Sequence, residues 1–243
     1  MRRKESLQAG IAAALALTLV ACGGGGSSGG TTTTGGSQSF NMQAGIANMV
    51  AHGLSFNVSL SGTVTVNGTS TSVTGSGMYT LAAGVSTTFD GTAAMSQLQT
   101  LSGTVTADGQ SLPVSQSVTE YYATSSSDFL GETATGEYDV AQAPFQYPTS
   151  IEGTSSGTLG TVLRYTDSTM SVSQGTAQTT YATTAPTTQG GPVGITTTTK
   201  IYDTTNTLVE TDVTNYSMTT SNVISFVSAS AQTQQGTLTA TAQ

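Results

Sequence analysis

The sequence predicts an all-β protein, an antiparallel up-and-down meander curled into a soluble barrel or half-barrel, with one short N-terminal helix. Three observations predict this fold. From residue 54 onward, apolar residues alternate with Thr, Ser and Asn at a period of two, which is typical of half-buried strands. Turn signals interrupt this alternation repeatedly, and one hairpin motif occurs twice. A sheet of about 11 or 12 strands, the number that this pattern predicts, must curl, close or fold onto itself.

The helix is predicted at the start of the domain. Asn41 suits its N-terminal cap, and Gly53 suits the position just past its end. Four apolar residues between these caps fall at helical spacing and form one stripe: Met42, Ile46, Met49 and Val50. We expect this stripe to cover part of the sheet.

Two similar hairpins come next. Asn67-Gly68 favours a type I′ turn, and Asp108-Gly109 stands in the same place in the second hairpin, where residues 101–106 repeat residues 60–65. A two-residue turn fixes which residues face each other. The predicted pairs are Phe56 with Tyr79, Val58 with Gly77, Leu60 with Gly75, Val105 with Leu112, and Gly103 with Val114. The repeat indicates growth by duplication, or the convergent use of a favoured turn.

The remaining elements carry weaker signals. Further hairpins are predicted around residues 167–168 and 204–206, and residues 143–149 and 185–192 are predicted to be loops. Pro113 cannot donate a hydrogen bond to a neighbouring strand, so its strand is predicted to lie at an edge or to bulge there. The second face of most strands is Thr, Ser and Asn rather than an apolar band, which argues against a transmembrane barrel.

The first 22 residues carry export signals. A cationic start is followed by an apolar run over residues 9–20, shorter than the roughly 20 residues that span a bilayer but suited to a secretory signal peptide. Leu19-Val20-Ala21-Cys22 resembles the lipobox of bacterial lipoproteins. The resemblance implies that Cys22 receives a diacylglycerol, that the chain is cut before Cys22, and that the new amino group is acylated. The alternative is an ordinary secretory peptide or a buried helix.

These signals divide the chain into three parts. Residues 1–21 are the predicted signal peptide, residues 22–39 are the lipidated cysteine with a flexible Gly/Ser/Thr linker, and residues 40–243 are a single β-domain. Gly23 stands where an aspartate would, by the same resemblance, favour retention in the inner membrane. The predicted location is therefore the outer membrane, with the domain at its periplasmic face or at the cell surface.

The charge balance excludes some partners. The chain has 5 Lys and Arg against 13 Asp and Glu, and removal of residues 1–21 takes away three basic residues and one acidic one. Arg164 and Lys200 are then the remaining Lys and Arg residues. Nucleic acids and anionic lipid head groups bind clustered basic side chains, so neither is a predicted partner apart from the membrane contact through the lipid anchor. We expect an envelope protein or a small hydrophobic ligand instead.

Catalytic motifs are weak. Residues 153–157 match the nucleophile pattern G-x-S-x-G, but the single histidine, His52, precedes the serine and no helix is predicted after it. A lone histidine without cysteines also leaves no predicted metal site. The sequence therefore predicts a protein that is not an enzyme and has no cofactor.

Two sets of residues remain as candidate sites. Glu137 and Asp139 share one strand face, as do Glu210 and Asp212; such pairs can serve glycoside hydrolysis or bind calcium, but solvated strand faces are the favoured interpretation. Five aromatic residues form a possible ligand pocket at one mouth of the sheet: Tyr121, Tyr122, Tyr138, Phe145 and Tyr147. The alternative is that these rings belong to the core.

The functional expectation is a non-enzymatic structural or interaction role in the cell envelope. It combines the predicted anchor at Cys22 with the weak catalytic signals. The alternative is a carrier that holds a small hydrophobic or lipid ligand inside the curled sheet, which requires an enclosed apolar cavity.

Overall fold

The computed structural model describes residues 38–66 and 68–243. The predictions for Cys22, the signal peptide and the linker up to residue 37 lie outside these residues, whereas Ser39, predicted as linker, lies in the first strand. The helix is α1, Met42–His52. The strands are β1 (Ser39–Phe40), β2 (Leu54–Val66), β3 (Thr69–Leu81), β4 (Val85–Phe89), β5 (Thr92–Ala107), β6 (Gln110–Ala123), β7 (Phe129–Ala134), β8 (Glu137–Ala141), β9 (Ile151–Glu152), β10 (Ser156–Tyr165), β11 (Ser173–Thr184), β12 (Val193–Tyr202), β13 (Leu208–Met218), β14 (Ile224–Thr233) and β15 (Gly236–Ala242).

Within these described residues, twelve strands form a closed antiparallel barrel. Strands β5 to β8 and then β10 to β15 pair in chain order, and β8 pairs with β10. The ring closes because β15 pairs with β2, β2 with β3, and β3 with β5. Strand β4 pairs with the part of β5 that extends past β3, while β1 and β9 form a separate two-stranded sheet. The predicted all-β meander is confirmed, and it is a barrel rather than a half-barrel.

The two similar hairpins adopt the predicted registers. Asp108 and Gly109 both have positive φ, 50° and 70°, as a type I′ turn requires. Asn67, in the first turn, lies outside the described residues. The observed pairs are Phe56 with Tyr79, Val58 with Gly77, Leu60 with Gly75, Val105 with Leu112, and Gly103 with Val114. The turn chemistry and the alternation of apolar residues thus predicted the register of these four strands correctly.

The two hairpins lie side by side in the barrel, where β3 and β5 approach closely. Gly77 lies opposite Gly103. A Cβ atom added to Gly75 would lie 2.2 Å from the carbonyl oxygen of Thr104, and one added to Gly103 would lie 2.2 Å from that of Ser76. A side chain cannot be accommodated at these distances, so glycine permits the two hairpins to pack this tightly.

Helix α1 has the predicted bounds and covers one end of the barrel. The Asn41 side chain accepts a hydrogen bond from the backbone N–H of Ala44 at 2.8 Å, and Gly53 ends the helix with φ of 70°. The backbone N–H of Met42 donates to the carbonyl oxygen of Pro148. The backbone N–H of Gly84 donates to the carbonyl oxygen of Val50 in the helix. The whole predicted stripe is buried: Met42, Ile46, Met49 and Val50. The helix therefore closes one end of the barrel beside the loops that follow β3 and β8.

The weaker predictions also agree with the structure. Loops at residues 166–172 and 203–207 join the predicted hairpins β10–β11 and β12–β13, and residues 143–149 and 185–192 are loops. Pro113 lies in the part of β6 that pairs with β5 on one side, whereas β7 pairs with β6 over residues 119–122. Pro113 is thus at a sheet edge, where its missing N–H removes no bond from a second neighbour.

Candidate functional site

The interior of the barrel contains a row of carboxyl groups on adjacent strands. Glu120 on β6 faces Glu132 on β7, and Glu132 faces Asp139 on β8. We call these three residues the interior carboxyl row. Gln97 on β5 faces one end of the row and Arg164 on β10 faces the other. Side chains of residues directly opposite in antiparallel strands lie close enough to interact, so the register makes the row continuous.

Strand alternation turns the row inward. On β6, Leu112 and Val114 are buried, and Glu120 and Tyr122 lie on the same face of that strand at a spacing of two. The exposed fractions of Glu120, Glu132 and Asp139 are 1%, 3% and 2%. Carboxyl groups are rarely buried to this degree unless they are paired. The row is therefore the most unusual chemical feature of the barrel interior.

Burial changes the protonation of the row. Removal from water disfavours the charged form of a carboxyl group, and it raises the pKa of Glu120 to about 8 although the hydrogen bond from Tyr122 opposes the shift. For Glu132, burial and then the neighbouring Asp139 and Glu120 raise the pKa well above its ordinary value. Burial also raises the pKa of Asp139 to about 7, against the opposing effect of Arg164. Glu120 and Glu132 therefore favour their protonated forms near neutral pH.

Few donors reach the row. Tyr122 donates its hydroxyl hydrogen to Oε2 of Glu120 at 2.8 Å. Oε1 of Glu120, Oε2 of Glu132 and Oδ1 of Asp139 have no hydrogen-bond partner. An unpartnered buried acceptor costs about 1–3 kcal/mol when it is neutral and more when it is charged. The shortage of donors around Glu120 and Glu132 thus favours the protonated form, although the bond from Tyr122 acts in the opposite direction.

Arg164 supplies the positive charge at one end of the row. Its Nε donates to Oδ2 of Asp139 at 3.1 Å, and its Nη2 donates to Oε1 of Glu137. Gly175 lies opposite Arg164 on β11 and has φ of 119°. Burial acts to lower the pKa of Arg164, but the carboxylates of Asp139 and Glu137 outweigh burial and raise it. Arg164 therefore remains cationic inside the wall.

A second pair of carboxyl groups faces the interior from β13. Asp212 is 3% exposed, and its side chain hydrogen-bonds to that of Glu210. Burial raises the pKa of Glu210 to about 7, while the bond to Asp212 and the charge of Arg164 act to lower it. The interpretation of Asp139 and Asp212 as residues on solvated strand faces is wrong. The barrel closes, so the face that carries them becomes its interior.

The five aromatic residues of the predicted pocket form two groups on opposite sides of the wall. Tyr122, Phe145 and Tyr147 are buried in the main core. Tyr121 and Tyr138 belong to a smaller cluster around Phe89 of β4, whose ring stacks on theirs at centroid distances of 4.3 Å and 5.3 Å. Because adjacent residues of a strand point to opposite faces, Tyr121 and Tyr122 could not share one pocket.

The weak catalytic motifs lie outside a catalytic arrangement. His52 is exposed in the last turn of α1, where its Nδ1 lies 3.0 Å from the Asn48 carbonyl oxygen. Ser155 precedes strand β10 rather than a helix, and its hydroxyl group lies 3.3 Å from that of Tyr181. The strand–turn–helix context that gives G-x-S-x-G its meaning is absent from this described segment.

Two observations on the described residues bear on small molecules and metal ions. A cavity of about 20 Å³ lies beside Tyr79, Gln99 and Gln116. This volume suits about one water molecule, whereas small-molecule sites measure roughly 300–1,000 Å³. Among the described residues, no three His, Cys, Asp or Glu side chains are arranged to hold a metal ion. In the same part of the chain, no helix combines the length and apolarity needed to cross a membrane.

Comparison with known proteins gives no match to a protein-family model, a curated protein or a solved structure. The residues of this chain are therefore the guide to its function. Its distinctive group is the interior carboxyl row with Arg164, and Glu120 and Glu132 were missed as candidates from the sequence. The alternation that buries Leu112 and Val114 places Glu120 on the same face of the strand, and this pattern could have identified Glu120 as an interior residue.

Proposed function

We propose that the protein is an outer-membrane-anchored lipoprotein with a non-enzymatic structural or interaction role in the cell envelope. The anchor rests on the lipobox-like Leu19-Val20-Ala21-Cys22 and the apolar run before it. A lipidated cysteine followed by a Gly/Ser/Thr segment would act as a tether. The location of the anchor in the outer membrane rests on Gly23, which follows the cysteine in place of an aspartate.

The observation that carries the interaction role is the occupied interior of the barrel. The largest fully buried side chains include Tyr122, Phe40, Phe129 and Phe145, and rings of this group contact one another at centroid distances of 5.2 Å and 5.9 Å. A carrier of a lipid needs an apolar space of ligand size. Because the chain's own rings and carboxyl groups occupy this part of the interior, we favour contacts through the outer surface and the loops.

The direction of the chain supports the same role. Ser39 pairs with Glu152, and α1 follows directly at the end of the barrel that it covers. Antiparallel pairing then places the β10–β11 and β12–β13 loops at the opposite end. A tether that enters beside α1 would leave these loops facing away from the membrane. The loops therefore belong to the end of the barrel that would face a partner in the proposed arrangement.

These two loops share one hydrogen-bond pattern around an aspartate. Asp167 accepts from the backbone N–H and the hydroxyl of Thr169 at 2.9 Å and 2.6 Å. Asp203 accepts from the equivalent groups of Thr205 at 2.8 Å and 2.7 Å. Hydrogen bonds from Thr169 lower the pKa of Asp167, and those from Thr207 and Thr205 lower the pKa of Asp203. Both loops thus present a fixed negative charge, which suits a cationic or hydroxyl-rich partner surface.

The anchor is tested by a Cys22→Ser variant expressed in a Gram-negative host. The wild type should stay with the outer-membrane fraction after a high-salt wash and should incorporate labelled palmitate. Cys22→Ser should lose both properties, and Ser27→Ala in the linker is the matched control that should keep both. Membrane retention of Cys22→Ser after the wash would contradict the lipid anchor.

The choice between interaction and carriage is tested by native mass spectrometry of the protein extracted gently from its host. A bare acylated polypeptide supports the interaction role. Additional mass that is released on unfolding would instead support the carrier and identify the class of ligand. The first result would be followed by crosslinking in intact cells, with Asp167→Ala and Asp203→Ala as variants that remove the loop charges.

A further inference from the structure

The barrel interior holds more acidic groups than its positive charge can balance. Six carboxyl groups influence one another there, on strands β6, β7, β8 and β13: Glu120, Glu132, Glu137, Asp139, Glu210 and Asp212. Arg164 bonds to Glu137 and Asp139. The other basic side chains of the described residues, Lys200 and His52, are exposed. If all six groups were ionised, the interior would carry a large uncompensated negative charge.

We propose that the interior carboxyl row is a proton-binding site, and that the barrel loosens when Glu120 and Glu132 lose their protons. This inference concerns the barrel alone and is independent of the anchor at Cys22. Its ligand is the hydrogen ion, and its consequence is a fold that is more stable in mildly acidic than in alkaline solution.

The positions of Glu120 and Glu132 carry the proposal. The two residues face each other in register on β6 and β7, and like charges directly opposite in a sheet are destabilising. Glu120 is 1% and Glu132 is 3% exposed, and each has a carboxyl oxygen without a hydrogen-bond partner. A protonated carboxyl group is a donor as well as an acceptor. Protonation therefore removes the repulsion between the two side chains and lowers the cost of leaving these oxygens without donors.

The groups that face the row from other elements are tyrosines and further acids, with Arg164 as the cation. Tyr79 on β3 has its pKa raised by burial and then by the charge of Glu120. Tyr122 on β6 has its pKa raised by burial and by Glu120. The acids near the row are Glu137 on β8 and Glu210 and Asp212 on β13. The other tyrosines are Tyr147, in the loop after β8, and Tyr216 on β13. The cation among these groups is Arg164, bonded to Asp139 and Glu137.

The direction of the pH effect follows from the raised pKa values. A carboxyl group whose pKa is higher in the folded than in the unfolded chain contributes stability that is complete below the unfolded pKa and is lost as pH rises through the folded pKa. For Glu120 this window runs from its ordinary 4.5 to about 8. Between these two pH values, the proton that each such group binds only in the folded state makes the unfolding constant rise by up to about tenfold per pH unit.

The first test is a carboxyl ¹³C NMR titration of the full chain. The resonances of Glu120 and Glu132 should both titrate well above the usual range of glutamate, that of Glu120 near pH 8, and Glu210 should add a third high resonance near pH 7. The Glu132→Gln and Glu120→Gln variants should each lose one of them. Titration of every glutamate below about pH 5 would overturn the proposal without depending on the stability of any variant.

The second test is urea unfolding followed by circular dichroism from pH 5 to pH 9. The wild-type midpoint should fall steadily with pH, and Glu132→Gln should show a shallower fall and a higher midpoint than the wild type at pH 9. The matched control is Glu152→Gln, which changes an exposed glutamate on β9 and should follow the wild type. Equal pH slopes for Glu132→Gln and the wild type would overturn the proposal, as would recovery of the pH 9 midpoint by millimolar Ca²⁺, which would identify a metal site instead.

Discussion

The two sides of the barrel interior differ sharply in chemistry. The interior face of β2 and of its partners β3 and β15 is apolar, with Val58, Leu60, Val64, Val73 and Leu238 all buried. The interior face of β6, β7, β8 and β10 carries the carboxyl row and Arg164. The same strand alternation builds both sides, so backbone geometry does not distinguish them. The apolar side gains stability from burial alone, whereas the acidic side depends on hydrogen bonds and protonation.

The largest expected effect comes from removal of the positive charge on the acidic side. In Arg164→Met, Asp139 and Glu137 lose their cation, and loss of one partner of a buried ion pair costs about 3–5 kcal/mol. The cost should be largest near pH 9 and should shrink toward pH 5, because burial raises the pKa of Asp139 to about 7 and the abandoned Asp139 then takes up a proton. Urea unfolding at both pH values measures this difference. An equal loss at pH 5 and pH 9 would show that Arg164 acts through packing rather than charge.

The matching change on the apolar side is Leu60→Ala. Leu60 faces Gly75 on β3 and Ala240 on β15, so its neighbours are too small to fill the space it leaves. A loss of about 2–5 kcal/mol is expected, and it should be the same at pH 5 and pH 9. Ser61→Ala, which changes the exposed face of the same strand, should stay within about 0.5 kcal/mol of the wild type. A pH-dependent loss in Leu60→Ala would break the distinction between the two sides.

This difference also explains what the sequence could and could not predict. On β2 and β3 the apolar alternation and the two-residue turn indicate the same strand pairing, so the register was predicted correctly. The helix stripe and the all-β fold were predicted correctly as well. On β8 and β13 both faces contain polar residues, so alternation alone cannot say which face is inside. Asp139 and Asp212 were therefore assigned to solvent. Closure of the ring, which depends on the pairing of β3 with β5, decides the question and involves residues distant in sequence.

The aromatic residues illustrate the same limit. Proximity in sequence suggested one pocket for Tyr121, Tyr122 and Tyr138. Alternation on β6 separates the first two, and Phe89, from a strand that no sequence pattern had marked, covers Tyr121 and Tyr138 from outside. The part of the prediction that failed is the part that required knowing which segments lie outside the barrel.

The smallest expected effect tests whether buried threonines on β11 and β12 can be replaced by apolar residues. Thr179 on β11 and Thr199 on β12 face each other, are 1% and 3% exposed, and their hydroxyl groups hydrogen-bond at 3.0 Å. Thr179→Val or Thr199→Val alone leaves one buried hydroxyl without this partner and should cost about 1–3 kcal/mol. The double variant removes both hydroxyls and replaces them with methyl groups of similar size, so it should be close to neutral.

A double-mutant cycle by urea unfolding measures the coupling between these two threonines. If the double variant is more stable than either single variant, each hydroxyl group is needed only as the hydrogen-bond partner of the other. This part of the interior then tolerates apolar residues as β2 and β3 do. If the two losses add, the hydroxyls also support groups beyond the pair, of which Asp212 is the nearest in register, opposite Thr199. The acidic side would then extend across β11 and β12, and its dependence on hydrogen bonds would include the threonines as well as the carboxyl row.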